Sequence, residues 1–180
     1  HAYDPHKGGF VEACARDWSP ASDYIISKYA NQESKTMNTH LHILEAFTNL
    51  YRVWPDTLVA DQIRGMLRVF MDHIVDPKTY RMNLFMDNDW RVRRTAISYG
   101  HDIEAAWLLP EAADVLAARN PTDTELQKTV RTLAVKMARA ASTAGICAAG
   151  TAPCCTASRP PRTERLCTEL AKPVVLSSRV

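Results

Sequence analysis

Ser98-Tyr99-Gly100-His101-Asp102-Ile103-Glu104 sets a histidine and a carboxylate three residues apart at the opening of a helical pattern. Positions i and i+3 share a helix face, so His101 and Glu104 point the same way. Gly100 permits a sharp turn before the helix begins. An imidazole that titrates near neutrality, next to a carboxylate that can orient it, is a proton-transfer pair. The same pair on an arbitrary helix is an ordinary surface contact. Here the residues around it, Ile103, Ala105, Ala106, Trp107, Leu108 and Leu109, are apolar. That composition predicts a helix buried nearly all round, in which a His and a Glu need partners or a polar cavity. The helix should run from about Tyr99 to Ala118, kinked or restarted at Pro110.

A second helix of the same kind is predicted upstream, roughly Asn38 to Tyr51, behind the capping residues of Ser34-Lys35-Thr36-Met37-Asn38. Leu41, Leu44, Thr48 and Tyr51 form one flank; Ile43, Phe47 and Leu50 form another. Between them runs a polar stripe of Asn38, His42, Glu45 and Asn49. Two apolar flanks around a narrow polar stripe predict a buried helix whose stripe looks into something polar. His40 points away from that stripe and reads as structural, and Glu45 reads as the group that holds His42.

Each of these helices precedes an amphipathic one. From Pro55-Asp56 to about Val75, Val59, Ile63, Met66, Leu67, Phe70 and Ile74 keep a helical period. Asp61, Arg64, Arg68 and Asp72 cover the opposite, wet face, and His73 reads as a boundary residue. After Asn120-Pro121, Thr122 and Glu125 form a capping box, and Leu126, Val130, Leu133 and Met137 line one face of a helix to about Ala141. Extended arms precede the two buried helices, Gly8 to Trp18 and Tyr80 to Trp90. They end in Asp17-Trp18 and Asp89-Trp90, a weak internal repeat.

The 180 residues suit one domain or part of a larger one. Net charge is +2, hydrophobic content 46% and charged content 23%, so neither nucleic acid nor a membrane surface is the expected partner. No apolar run approaches a membrane span. The chain opens at His1, without Met or a signal peptide, and reads as an internal fragment. Five cysteines with no CxxC pair give no structural zinc signature, and an odd count points to a reducing, cytoplasmic setting. From about Ala144 periodicity is lost. The segment 145–180 carries Cys154-Cys155, Pro160-Pro161 and scattered arginines, and is expected to be disordered or translated out of frame.

Inner helix, outer helix, inner helix, outer helix predicts an all-α fold, a piece of an α/α barrel with short β arms. With the stretches Met37 to Ala46, Leu84-Phe85-Met86-Asp87 with Asp89-Trp90, and Ser98 to Glu104 with Trp107-Leu108-Leu109, the sequence resembles the N-acylglucosamine 2-epimerase family. Gly8-Gly9-Phe10 and Arg16-Asp17-Trp18 fit as well, and the resemblance covers roughly Asp4 to Ala144.

The resemblance implies a partial (α/α)6 barrel, a cofactor-free enzyme with its site at the barrel centre, and a small sugar or disaccharide substrate; a monomer is the favoured state, the oligomer being left open. It implies removal of the C2 proton from an opened reducing-end sugar and reprotonation of a cis-enediolate, interconverting glucose and mannose. His101 then matches the general acid/base at C2, Glu104 its supporting carboxylate, His42 a histidine near the ring oxygen and C1, and Asn38 a sugar contact. The enediolate-binding arginine and the second catalytic histidine are expected outside this chain. The alternatives are an aldose–ketose isomerase of the same fold and a non-catalytic sugar-binding helical protein. A metal site from His40, His42, His101 and Glu104 is not expected, because His40 and His42 face different sides of their helix.

Overall fold

Residues 1–19 and 33–148 are described by the structure, a computed structural model. Helix α1, Met37–Val53, begins where Thr36, in extended conformation, accepts the Thr39 N–H on its hydroxyl at 3.2 Å. The Glu12 carboxylate takes both the Thr36 and the Thr39 hydroxyl protons, adding negative charge at the helix N-terminus. Leu41, Leu44, Thr48 and Tyr51 are all buried, as their spacing predicts.

Helix α2, Thr57–Val69, is capped by Asp56, which accepts the Leu58 N–H at 2.8 Å. It buries Val59, Ile63, Met66 and Leu67, then continues as one π-helical turn, Phe70–Ile74. Its wet face is drier than expected at Arg64. That guanidinium reaches across to the buried Asp123 with two bonds of 2.7 and 2.8 Å, a fork that ties α2 to the entry of the last helix.

Helix α3, Tyr99–Ala117, passes through Pro110 without restarting. Helix α4, Thr124–Ala148, follows a 3₁₀ turn at Pro121–Asp123. The expected box of Thr122 and Glu125 does not form. Asn120 caps instead, accepting the Thr122 N–H at 3.1 Å, because Pro121 has no N–H to satisfy at the first position. Glu125 pairs with Lys128. Helix α4 runs past its expected end at Ala141, so the boundary drawn at Ala144 falls inside it. The rest of the segment 145–180, from residue 149 on, lies outside the described residues.

Helix α1 packs on both α2 and α3, so α1 and α3 are inner neighbours with α2 and α4 outside, part of an (α/α)6 barrel. The arms are shorter than predicted. Strands β1 (Lys35–Thr36), β2 (Phe85–Met86) and β3 (Val92–Arg94) form one antiparallel sheet in that order, with Thr36 opposite Phe85 and Phe85 opposite Arg94. Gly8 to Trp18 is not a continuous strand; its backbone makes only short bridges such as Tyr3 with Phe10.

The repeat seen in the sequence is real in the backbone. At 15–19 the Trp18 N–H reaches the Ala15 carbonyl and the Ala15 N–H the Ser19 carbonyl, both at 2.9 Å. At 87–91, Trp90 to Asp87 and Asp87 to Arg91 repeat the pattern at 3.0 and 3.1 Å. Both tryptophans lie in the left-handed region, φ 66° and 64°. Trp18 is exposed and stacks on His1, whereas Trp90 is buried. The Trp90 indole N–H donates to the Lys7 carbonyl at 2.9 Å, and its ring lies parallel to His73 and near His40.

Gly9 makes that junction possible. Its φ is +76°, and a Cβ there would stand 2.5 Å from His40 Nε2 and 2.6 Å from the Trp90 ring. Gly9→Ala should therefore lower stability by at least the 1–3 kcal/mol, roughly, of a forced left-handed residue. A melting temperature within a degree of wild type would contradict this.

Candidate functional site

The two inner helices carry the predicted residues, and they present them on open faces. On α1, Asn38, His42 and Asn49 are exposed and Glu45 is half-buried. The stripe therefore looks outward into solvent in this chain and is not enclosed by the α1 flanks. His42 Nδ1 lies 3.4 Å from Glu45 Oε2, a loose pair one turn apart on side chains that are about half exposed.

On α3, one face is open as well. Ile103 is 45% and Trp107 54% exposed, so the helix is not buried all round. Its apolar composition cannot distinguish a face packed on protein from one that borders a cavity. His101 and Glu104 are both half-buried on the first two turns. They are not hydrogen-bonded to each other. His101 Nδ1 is held by the Ser98 hydroxyl at 2.6 Å, and Glu104 makes no hydrogen bond or ion pair among the described residues. That leaves Nε2 as the His101 nitrogen without a hydrogen-bond partner among the described residues.

Sequence reasoning passed over Asp102, which follows His101. It is 1% exposed, accepts the Met82 N–H at 3.0 Å and lies 3.9 Å from Arg81 Nη1. Burial pushes its carboxyl above the ordinary aspartate range, against the Met82 bond and the Arg81 charge. Arg81 in turn covers the Tyr99 ring and donates to the Ala140 carbonyl. The first turn of α3 is thus pinned from below by an arm and from its own N-terminus by Ser98. A charged residue on the inward side of an apolar helix was the available signal.

His40 has the structural role expected. Its Nδ1–H donates to the Thr36 carbonyl at 2.6 Å and its Nε2 accepts the Phe10 N–H at 2.9 Å, which fixes a neutral tautomer. Burial lowers its pKa below the usual histidine value, while Lys35 pushes the same way and Glu12 opposes. The consequence has a definite sign. Above the unfolded value of 6.5 His40 is neutral in both states and its contribution is complete. As pH falls below that value the unfolded chain gains a proton that the folded chain refuses, and stability drops. His73, lowered by partial burial, acts in the same direction. The melting temperature should fall on acidification from about pH 7.5 to about 5.5; a flat or rising trend would contradict the assignment.

Among the described residues no three His, Cys, Asp or Glu side chains converge as a metal cluster. An open groove lies farther along α3, lined by Trp107, Pro110, Glu111 and Asp114 with Arg52 of α1. It holds none of Asn38, His42, His101 or Glu104, and the Arg52–Glu111 ion pair is part of its lining.

Comparison with known proteins gives one consistent answer. The family model described as N-acylglucosamine 2-epimerase matches residues 5–172, a span that overlaps much of the segment 145–180. Cellobiose 2-epimerase of Bacteroides fragilis is 45% identical over 142 residues, which is 79% of this chain and 35% of that protein. Cellobiose 2-epimerase of Dictyoglomus turgidum is 40% identical over 104 residues, 58% of this chain and 27% of that protein. The solved structure of cellobiose 2-epimerase from Bacillus thermoamylovorans B4167 superposes with a TM-score of 0.67 at 30% identity, covering 79% of this chain and 35% of the other. The chain spans about a third of the length of the relatives it matches.

Proposed function

We propose, since this chain belongs to the N-acylglucosamine 2-epimerase family, that the whole protein is a carbohydrate 2-epimerase acting at the reducing end of a glucose- or mannose-terminated sugar. The observation that carries this reading is His101. It sits in the first turn of an inner barrel helix with Nδ1 engaged by Ser98 and Nε2 available.

The chemistry follows from the substrate. In the opened sugar the C2 hydrogen lies beside the C1 aldehyde, which makes it acidic. A base with a pKa near neutrality can remove it and return it. His101 Nε2 takes the C2 proton. The electron pair passes into the C1 carbonyl and gives an enediolate. Glu104, on the same face one turn on, favours the imidazolium that results. His42, paired with Glu45 on α1, moves a proton at the ring oxygen and C1. Asn38, one turn before His42, hydrogen-bonds a sugar hydroxyl. Epimerisation also needs an acid/base on the opposite face of the enediolate, and these four residues serve one face.

The test is to incubate the whole protein with cellobiose in D2O. A glucosyl-mannose product carrying deuterium at C2 is expected. A fructose-terminated product without the C2 epimer would replace this reading with an aldose–ketose isomerase. No turnover with intact sugar binding would favour a binding protein.

A further inference from the structure

We propose that Ser98 is a positioning residue for His101, fixing the plane of its ring; the proposal rests on the epimerase reading above. Ser98 stands immediately before α3 with an extended backbone, φ −126° and ψ 98°, the geometry of a helix cap. A serine there ordinarily accepts a backbone N–H from the second or third helical residue. Thr36, Asp56 and Asn120 all do so at their own helices or turns. Ser98 does not; its side chain makes no capping bond. Its hydroxyl instead lies 2.6 Å from Nδ1 of His101, the side chain of the third helical residue.

The rest of the turn is built to hold that contact still. The Asp102 N–H donates to the Ser98 carbonyl at 3.0 Å, and the buried Asp102 carboxylate takes the Met82 N–H. The backbone on both sides of His101 is therefore fixed. The imidazole ring, turned by two side-chain torsions, is what remains to be placed, and Ser98 places it.

A hydroxyl both donates and accepts, so it can stay on Nδ1 in every protonation state of the ring. When Nε2 is the base the hydroxyl accepts from Nδ1–H, and it accepts the same bond once Nε2 has taken the C2 proton. Nε2 alone changes state, and the ring passes from base to acid without turning. Without Ser98 the ring is free to rotate and carry Nε2 off the line to C2.

The experiment compares wild type, Ser98→Ala and Ser98→Thr in the whole protein. Turnover of cellobiose, melting temperature and the ¹⁵N spectrum of labelled histidine are read for each, with His101 assigned by difference from His101→Gln. Ser98→Ala should lower kcat about ten- to a hundred-fold with KM nearly unchanged, the size usual for a partner that orients a reacting group. It should leave the melting temperature in place and shift the His101 Nδ1 signal as its hydrogen bond is lost. Ser98→Thr, which keeps the hydroxyl, should restore kcat and the wild-type Nδ1 signal. An active wild type whose Ser98→Ala variant keeps kcat and the Nδ1 signal overturns the proposal. So does a variant that loses melting temperature but not kcat, since that is an ordinary cap. An inactive wild type whose Nδ1 signal shifts in Ser98→Ala would refute the epimerase reading while upholding the positioning of the ring.

Discussion

His101→Ala, made in the whole protein, should abolish exchange of the sugar C2 hydrogen with solvent deuterium. Removing one positioned acid/base costs on the order of a hundred- to ten-thousand-fold in rate. That corresponds to roughly 3 to 5 kcal/mol of barrier. The expectation is specific because His40 and His42 cannot substitute. Both nitrogens of His40 are committed to backbone groups, and His42 belongs to a different helix with Glu45 as its partner. The variant should fold normally, since His101 bonds only to Ser98 through its side chain among the described residues. Near-normal C2 exchange in a folded His101→Ala protein would move the catalytic base elsewhere.

The second large effect is on stability. Lys35 is 0% exposed, and its ammonium is fully used: Asp4 Oδ2 at 3.0 Å, the Gly8 carbonyl at 2.9 Å and the Asn88 carbonyl at 3.3 Å. The Trp90 ring centre lies 4.4 Å away. One cation thus joins the N-terminal loop, strand β1 and the turn at 87–91. Lys35→Ala leaves a carboxylate and two carbonyls facing a void. Breaking a buried pair from one side costs about 3–5 kcal/mol. Urea unfolding of the variant should show a loss of that size. Lys35→Met with Asp4→Asn, which removes both charges and refills the space, should recover part of it. A loss below about 1 kcal/mol for Lys35→Ala would mean that water replaces the ammonium at little cost.

Lys35 also shows where sequence reading stops. Helical spacing is a local signal, so the cores of α1 and α2 and the start of α3 were legible from apolar positions alone. The His42–Glu45 contact and the structural role of His40 followed from the same geometry. Lys35 reads as one more polar residue in a capping stretch, because its three bonded partners lie far from it along the chain. Asp102 was not legible because the i,i+3 spacing pairs His101 with Glu104, and nothing local shows that the intervening carboxylate meets the Met82 N–H twenty residues away. The openness of the Asn38–Asn49 stripe and of the Ile103–Trp107 face was not legible either. Periodicity reports that a helix has two kinds of side, and is silent on what each side meets. The capping error at Thr122 has a smaller cause: Asn120-Pro121 is the better start, and the two signals overlap.

The matched turns at 15–19 and 87–91 bear on how a stretch of such a chain can be exchanged. Each reverses direction with the same hydrogen-bond pair and the same left-handed tryptophan. What differs is the setting: Trp18 lies on the surface against His1, whereas the Trp90 ring is buried against His40 and His73 and its indole N–H holds the Lys7 carbonyl. Exchanging the stretch between Asp17-Trp18 and Asp89-Trp90 with that of a related chain would replace His40 and His73 together. The second joint survives such a graft only where the incoming chain brings rings of the same size to both places.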